Sequence, residues 1–392
     1  MTDKLSPATC AVRAALESDT HHSAVVPPIH LTSTYAFKSF GVKGAYDYTR
    51  SGNPTRDALA DAIAELEGGA GAVITASGMA AVTLITQLLS PDDLLVAPHD
   101  CYGGTYRLFA SLAQRGALRV EFVDQTDDRA LQTAIAKKPK LVWVETPSNP
   151  LLRIVDIEAV ATRAREVGAL LLVDNTFLSP VWQQPLALGA DLALHSTTKY
   201  LNGHSDVVGG AVVARTRELH DQLVWWANCI GVTGAPFDSY LTLRGVRTLF
   251  ARLQLHGTNA ERIAALLNAH SAVARVYYPG LENHPQHALA KRQQRGFGAM
   301  VSFELDGGIE HVQAFLAELR CFSLAESLGG VESLVAHPAS MTHAGMAADA
   351  RRRAGISDSL LRLSVGIESS EDLVADLQNG LERAAAVSRS VR

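Results

Sequence analysis

From residue 61 onward, short apolar runs recur, separated by segments of helix length. Ala72–Thr75, Leu94–Ala97, Val120–Val123, Leu141–Glu145 and Leu170–Asp174 begin 21 to 29 residues apart. Such continuous runs, without polar alternation, suit strands buried on both faces. The segments between them, such as Asp156–Val167, carry apolar positions at helical spacing. This alternation predicts βαβ units and a parallel sheet. Asp191–His195 and Val207–Ala214 predict two more strands. Before residue 61 the periodicity fades. Val26-Pro27-Pro28 and Ser51-Gly52-Asn53-Pro54 read as an irregular arm that depends on other structure for burial. After about Ser239 a long helical pattern begins. Met300–Leu305, a helical Glu310–Leu319, Leu361–Ser364 and a helix near Glu371–Ala386 follow. The expected organisation is an arm over 1–60, a large domain over 61–250 and a smaller C-terminal α+β domain over 251–392. The uncharged stretch Gly68–Pro91 is long enough for a bilayer. Its four glycines, Ser/Thr residues and Gln87 read instead as a buried strand, a turn and a buried helix.

Composition narrows the class. Of 392 residues, 47% are apolar and 19% charged, which excludes global disorder. Lys+Arg 35 against Asp+Glu 40 gives −5, with no basic footprint for nucleic acid. Cys10, Cys101, Cys229 and Cys321 are scattered and form no metal-binding spacing. They point to a reducing compartment. The first twenty residues contain Asp3, Glu17 and Asp19 and no apolar leader core. A cytoplasmic protein without metal or membrane segment is expected.

In open α/β sheets, ligands sit at the carboxyl ends of the strands. Ala76-Ser77-Gly78-Met79 follows the first run. Small residues there let backbone N–H groups approach an anion, although an ordinary N-cap reads equally well. Asp174 ends an apolar strand, where an unpaired acid is costly. It either caps a turn or faces a ligand cation. Ser196-Thr197-Thr198-Lys199 follows the next run, and its lysine either reaches solvent or is held near a ligand. Hydroxyls for a phosphate, a lysine for a Schiff base and an acid for a ring nitrogen together fit pyridoxal phosphate (PLP). At about 4 Å and an effective dielectric near 20, the Asp174 ion pair is worth roughly 4 kcal/mol. That is about three pKa units, enough to keep a pyridinium protonated at neutral pH. No GxGxxG follows the first strand, which speaks against a dinucleotide enzyme. A non-enzymatic scaffold leaves Lys199 and Asp174 unexplained.

His195-Ser196-Thr197-Thr198-Lys199-Tyr200, followed by Asn202-Gly203-His204-Ser205-Asp206, resembles the cofactor-lysine motif of the Cys/Met-metabolism (trans-sulfuration) family of PLP enzymes. The likeness runs nearly end to end. It includes Tyr48–Arg56, Ser77-Gly78-Met79, Glu145–Pro150, Val173–Thr176 and Glu326–Gly330. Pro98–Gly104, Trp225–Asn228 and Met341–Met346 are similar to the bacterial branch that performs γ-replacement. At one position the chain departs from that branch. Ser51 follows Arg50 where replacing members carry a second arginine, and γ-cleaving members are similar to this chain there.

The resemblance implies an aspartate-aminotransferase-like α/β fold (fold type I), with a mostly parallel seven-stranded sheet and a smaller C-terminal α+β domain. It implies that Lys199 carries the cofactor and shuttles protons, that Asp174 pairs with the ring nitrogen and that Tyr102 stacks on the ring. Gly78, Met79, Ser196 and Thr198 would hold the phosphate. Tyr48 and Arg50 would reach the phosphate of a neighbouring subunit, in a homotetramer built as a dimer of dimers. Arg362 would take the substrate carboxylate, and Asn149, Ser327, Glu326 and Arg107 would help to hold substrate. Glu326 stands where γ-processing members have an acid and β-processing members an aromatic residue. The implied reaction joins an O-acylated homoserine and cysteine to give cystathionine, in methionine biosynthesis. The alternative is cleavage of cystathionine to cysteine, 2-oxobutanoate and ammonia.

Overall fold

The computed structural model describes residues 5–344 and 348–390. Gly345 and Met346, at the end of one motif named above, lie outside the described residues. The strands are β1 Gly71–Thr75, β2 Leu94–Pro98, β3 Arg119–Val123, β4 Leu141–Glu145, β5 Leu170–Asp174, β6 Leu192–His195 and β7 Gly210–Ala214. They are followed by β8 Val273–Tyr277, β9 Met300–Leu305, β10 Phe322–Leu324, β11 Ser333–Ala336 and β12 Leu360–Ser364. The first seven form one sheet in the order β1-β7-β6-β5-β4-β2-β3. All neighbours from β6 through β5, β4 and β2 to β3 are parallel. β7 runs antiparallel to both β1 and β6. The seven-stranded, mostly parallel expectation therefore holds.

The apolar runs explain this sheet. Val142, Val144, Leu171 and Val173 face one buried cluster, while Leu141, Trp143 and Leu172 face the other. Successive side chains point to opposite faces, so both positions must be apolar when helices cover both sides. The edge strand β3 is only partly buried, and Glu121 on it pairs with Lys137 at 2.7 Å. One covering helix, Ile157–Glu166, begins at Asp156, whose carboxylate accepts the Ala159 N–H at 3.1 Å. Its last turn carries Arg163 and Arg165, opposite the helix dipole. The uncharged stretch resolves into β1 and the helix Gly78–Thr86. No helix among the described residues is long and apolar enough to cross a membrane.

Two readings of the pattern change. The irregular arm ends at Asn53, because Pro54–Glu67 is a helix that runs across residue 60. The turn-like Asn53-Pro54 is its start signal. Asn53 Oδ1 accepts the N–H groups of Thr55 and Arg56, and Pro54 occupies the first helical position. The long helical pattern after Ser239 is two helices, Pro236–Val246 and Leu249–Ala269, interrupted at Arg247 and Thr248. The remaining strands form a second sheet in the order β10-β11-β12-β9-β8. β9 and β12 match predicted runs. β8 and β10 are largely exposed or half-buried rather than continuously buried, and β10 has only three residues.

Candidate active site

The carboxyl ends of β4, β5 and β6 meet the turn after β1 and the second sheet at a cavity of about 440 Å³. Gly78, Met79, Tyr102, Arg107, Asn149, Asp174, Ser196, Thr198, Lys199, Glu326, Ser327 and Arg362 all line it. A larger cavity of about 660 Å³ lies beneath the helix Pro7–Arg13, and none of the expected site residues lines it.

One end of the cavity suits an anion. Ser77 Oγ accepts the Ala80 N–H at 3.0 Å. The N–H groups of Gly78 and Met79, in the first helical turn, have no acceptor within the helix. A Cβ on residue 78 would stand 2.9 Å from Ser196 Cβ and 3.0 Å from its Oγ. Only glycine lets the helix start and the Ser196 hydroxyl approach one another so closely. Thr198 Oγ1 is fixed by the Gly209 backbone, accepting its N–H at 3.0 Å and donating to its carbonyl at 3.2 Å.

The middle holds the carboxylates and the lysine. Asp174 Oδ1 accepts the N–H and hydroxyl of Thr176 at 3.0 and 2.6 Å. Its other oxygen accepts no hydrogen bond from the described residues. Burial raises its pKa, partly offset by the bonds from Thr176. Glu145 is the register partner of Asp174 across β4 and β5. Burial, then the neighbouring Asp174, pushes Glu145 well above the usual carboxylate range. Glu145 accepts the Tyr102 N–H at 2.8 Å, which sets the half-exposed Tyr102 ring at the cavity mouth. Lys199 Nζ donates to Ser327 Oγ at 2.8 Å. Burial, with the nearby Arg362 charge, lowers the Lys199 pKa to about 8.

The far wall comes from the second sheet. Arg362 on β12 is 3% exposed. It donates to Asn149 Oδ1 at 2.7 Å and to the Ser327 carbonyl at 3.0 Å. Its Nε is buried without a partner, and no carboxylate lies within ion-pair distance of it among the described residues. Burial lowers its pKa to about 10. Ser327 adopts φ +88°, a left-handed conformation that costs about 1–3 kcal/mol and persists where surrounding structure enforces it. Here Gly329 N–H bonds Ser364 Oγ at 2.9 Å, beside Arg362 on β12. Gly329 itself has φ +78°, and a Cβ there would meet the Tyr200 nitrogen at 2.7 Å.

Tyr48 and Arg50 are not part of this cavity in their own chain. Arg50 bonds the Asn228 carbonyl and side chain at 2.7 and 2.6 Å, and its guanidinium lies 5.6 Å from the Tyr48 ring centre. Ser51 closes a local turn onto Asp47 and the Tyr48 carbonyl. Two further site residues, Glu145 and Thr176, were not singled out from sequence. Glu145 gives the same signal as Asp174, an acid ending an apolar strand. Thr176 stands two residues beyond an aspartate, the spacing of an Asx turn.

These residues fit PLP. Among the described residues, an anion cradle, a partly buried lysine, a carboxylate oxygen without a donor and a buried guanidinium without a carboxylate partner converge on one cavity of cofactor size. Comparison with known proteins agrees. A family model described as Cys/Met metabolism PLP-dependent enzyme matches residues 8–382. The chain is 61% identical over 378 residues to the cystathionine γ-synthase of Escherichia coli, covering 96% of this chain and 98% of that protein. It is 48% identical over 375 residues to the cystathionine β-lyase of Coxiella burnetii, covering 95% and 97%. A crystal structure of cystathionine γ-synthase from Xanthomonas oryzae pv. oryzae in complex with cystathionine superposes with a TM-score of 0.97 at 64% identity, covering 98% of this chain and 99% of that one. With a cavity whose lining fits the cofactor, a superposing fold and a match over nearly the whole chain, this protein belongs to the Cys/Met-metabolism family of PLP-dependent enzymes.

Proposed function

We propose that the protein is a PLP-dependent transferase that joins an O-acylated homoserine, O-succinyl-L-homoserine first among them, to L-cysteine. The products are cystathionine and the free acid, as in methionine biosynthesis by trans-sulfuration. The observation that carries this reading is the cavity uniting Lys199, Asp174 and an Arg362 that has no carboxylate partner among the described residues. The γ-synthases at 61% and 64% identity favour replacement over cleavage.

When bound, the cofactor supplies an electron sink that makes the substrate Cα and Cβ protons removable. The chain does the rest. Gly78, Met79, Ser196 and Thr198 hold the phosphate, with the helix N-terminus favouring its charge. Asp174 keeps a proton on the ring nitrogen, and Tyr102 covers the ring face. Arg362 grips the substrate carboxylate as a fork, with Asn149 and Ser327 fixing the guanidinium plane. Lys199 Nζ moves the protons at Cα and Cβ. Its lowered pKa of about 8 leaves a useful fraction unprotonated near neutral pH. Ser327 Oγ holds that amine in place between transfers. The acyl group leaves Cγ and the cysteine sulfur takes its place there. Glu326 and Arg107, which line the same cavity, contribute to substrate recognition.

Cleavage of cystathionine would use the same residues, and Ser51 is the feature that favours it. Product analysis separates the two. With O-succinylhomoserine and cysteine, cystathionine is the expected main product. Release of 2-oxobutanoate from cystathionine alone should be much slower. Faster cleavage than synthesis would assign the chain to γ-elimination.

Tyr48 and Arg50 complete the site of a neighbouring subunit, within a homotetramer of two such dimers, and the N-terminal arm that ends at Asn53 delivers them. None of the four cysteines forms a disulfide among the described residues, which supports a cytoplasmic enzyme.

A further inference from the structure

Behind the cavity, on the opposite face of the sheet, lies a buried polar cluster that the chemistry above does not use. Glu67 ends the helix Pro54–Glu67. Glu67 and His195 are each 1% exposed. One oxygen of Glu67, Oε1, stands 2.7 Å from His195 Nε2 and accepts Asn175 Nδ2 at 2.8 Å. The other oxygen, Oε2, is buried without a hydrogen bond among the described residues. Asn175 Nδ2 also donates to the Gln183 carbonyl at 2.8 Å, and Gln183 Nε2 donates to Asn175 Oδ1 at 3.1 Å and to the Thr146 carbonyl at 3.0 Å.

Each strand-end member of this cluster is the chain neighbour of a cavity residue. His195 precedes Ser196, Asn175 follows Asp174 and Thr146 follows Glu145. Strand side chains alternate between faces, so the ends of β5 and β6 each send one side chain to the cavity and a chain neighbour's to the cluster, while Thr146 joins through its carbonyl. The β5–β6 ladder ends here. Its last pair is Asp174 with Leu194, closed by Asn175 N–H to the Leu194 carbonyl at 2.9 Å. Past that point side chains take over from the ladder: Thr176 Oγ1, bonded to Asp174, accepts the Ser196 N–H at 2.9 Å on the cavity side, and the Glu67 cluster ties the ends from behind.

We propose that Glu67 is a positioning residue for the PLP pocket, one carboxylate oxygen that ties the ends of β5 and β6 together through Asn175 and His195. Stability alone does not explain it. Burying a carboxylate costs several kcal/mol, and apolar packing of similar volume often serves a fold as well or better. Here one oxygen is also left unpaired. What the acid does that leucine cannot is accept from two strand ends at once. The inference rests on the reading of the cavity as the PLP pocket.

The test compares full-length holoenzymes of wild type, Glu67→Gln and Glu67→Leu. The readouts are the visible absorption of bound PLP, its rate of loss in PLP-free buffer and the thermal unfolding midpoint. Glu67→Gln keeps an oxygen for both donors, so its absorption should match wild type and its PLP loss should stay within about threefold. Glu67→Leu removes the acceptor, and PLP loss should quicken by roughly tenfold or more, with a changed absorption band. A Glu67→Leu enzyme that holds PLP like wild type, whatever its unfolding midpoint, overturns the proposal. So does a Glu67→Gln enzyme as damaged as Glu67→Leu. If Glu67→Leu does not fold, Asn175→Ala decides, because it removes the side-chain tie from β5 to Glu67 while leaving Glu67 on His195. Faster PLP loss supports the proposal, and wild-type retention overturns it. Wild-type protein that fails to bind PLP at all would instead refute the pocket reading.

Discussion

Replacing Arg362 by lysine keeps a positive charge on β12 and removes the planar fork. In the structure the guanidinium already spends one donor on Asn149 Oδ1 at 2.7 Å and one on the Ser327 carbonyl at 3.0 Å. Its Nε is buried and unpaired. A substrate carboxylate arriving here gains charge-assisted bonds that an ammonium, with its single nitrogen, cannot match while also holding Asn149 and Ser327. Hydrogen bonds to charged groups are worth about 1.5–3 kcal/mol each. Losing one to two of them removes about 3 kcal/mol, or roughly a hundredfold in kcat/KM. The assay is kcat/KM for O-succinylhomoserine at saturating cysteine, with PLP content measured alongside. The absorbance change on mixing with an amine that lacks the α-carboxylate serves as a control. Arg362→Lys should cut kcat/KM roughly a hundredfold, retain PLP and treat the decarboxylated amine much as wild type does. A loss below threefold would refute the reasoning. So would an equal loss toward both compounds, because the missing interaction would then not be with the carboxylate.

Other outcomes follow from the same geometry. Asp174→Asn keeps its shape and its bonds from Thr176 but loses the charge that protonates the ring. PLP should be retained in part and turnover should fall by orders of magnitude, whereas activity within a few-fold of wild type would remove the electron-sink role from this residue. Lys199 binds its proton more weakly in the folded protein, at about 8, than at its ordinary 10.5. The folded state therefore binds fewer protons than the unfolded one across that window, and wild-type stability should rise with pH there. PLP-free Lys199→Met should be more stable than PLP-free wild type at pH 7, and denaturant unfolding should show the gap closing toward pH 10. A gap independent of pH would contradict the burial of this amine. Finally, Lys199→Ala and Arg50→Ala should each be inactive or severely weakened, yet co-refolding them should restore up to about one working site per hybrid dimer. Confirmed hybrids without recovered activity would place Arg50 outside the neighbour's site.

Local chemistry made some elements legible and left others hidden. The buried strands β2, β4 and β5 need apolar residues on both faces, so their sequences announce them. β8 and β10 are held by pairing at the edges of the second sheet rather than by burial on both faces, and half-exposed edge strands carry little signal. The helix Pro54–Glu67 was obscured because its cap, Asn53-Pro54, has the composition of a turn.

The same division runs through the site. Lys199 and Asp174 were readable because a lysine and an acid at the ends of apolar strands contradict their surroundings, and that contradiction is local. Arg362, Asn149 and Ser327 are far apart in the chain and carry no such local signal. Their roles could be anticipated only through family resemblance. It took packing of the second sheet against the first to seat Arg362 on Asn149 and the Ser327 carbonyl, and to strip it of water and of any carboxylate partner. Glu67 shows the limit most plainly. In sequence it is one more acid at a helix end, the kind that usually faces solvent. Its burial against His195 and Asn175 arises from contacts more than a hundred residues apart. Sequence pattern records which residues must leave water, whereas only the folded chain decides which polar groups meet once they have left it.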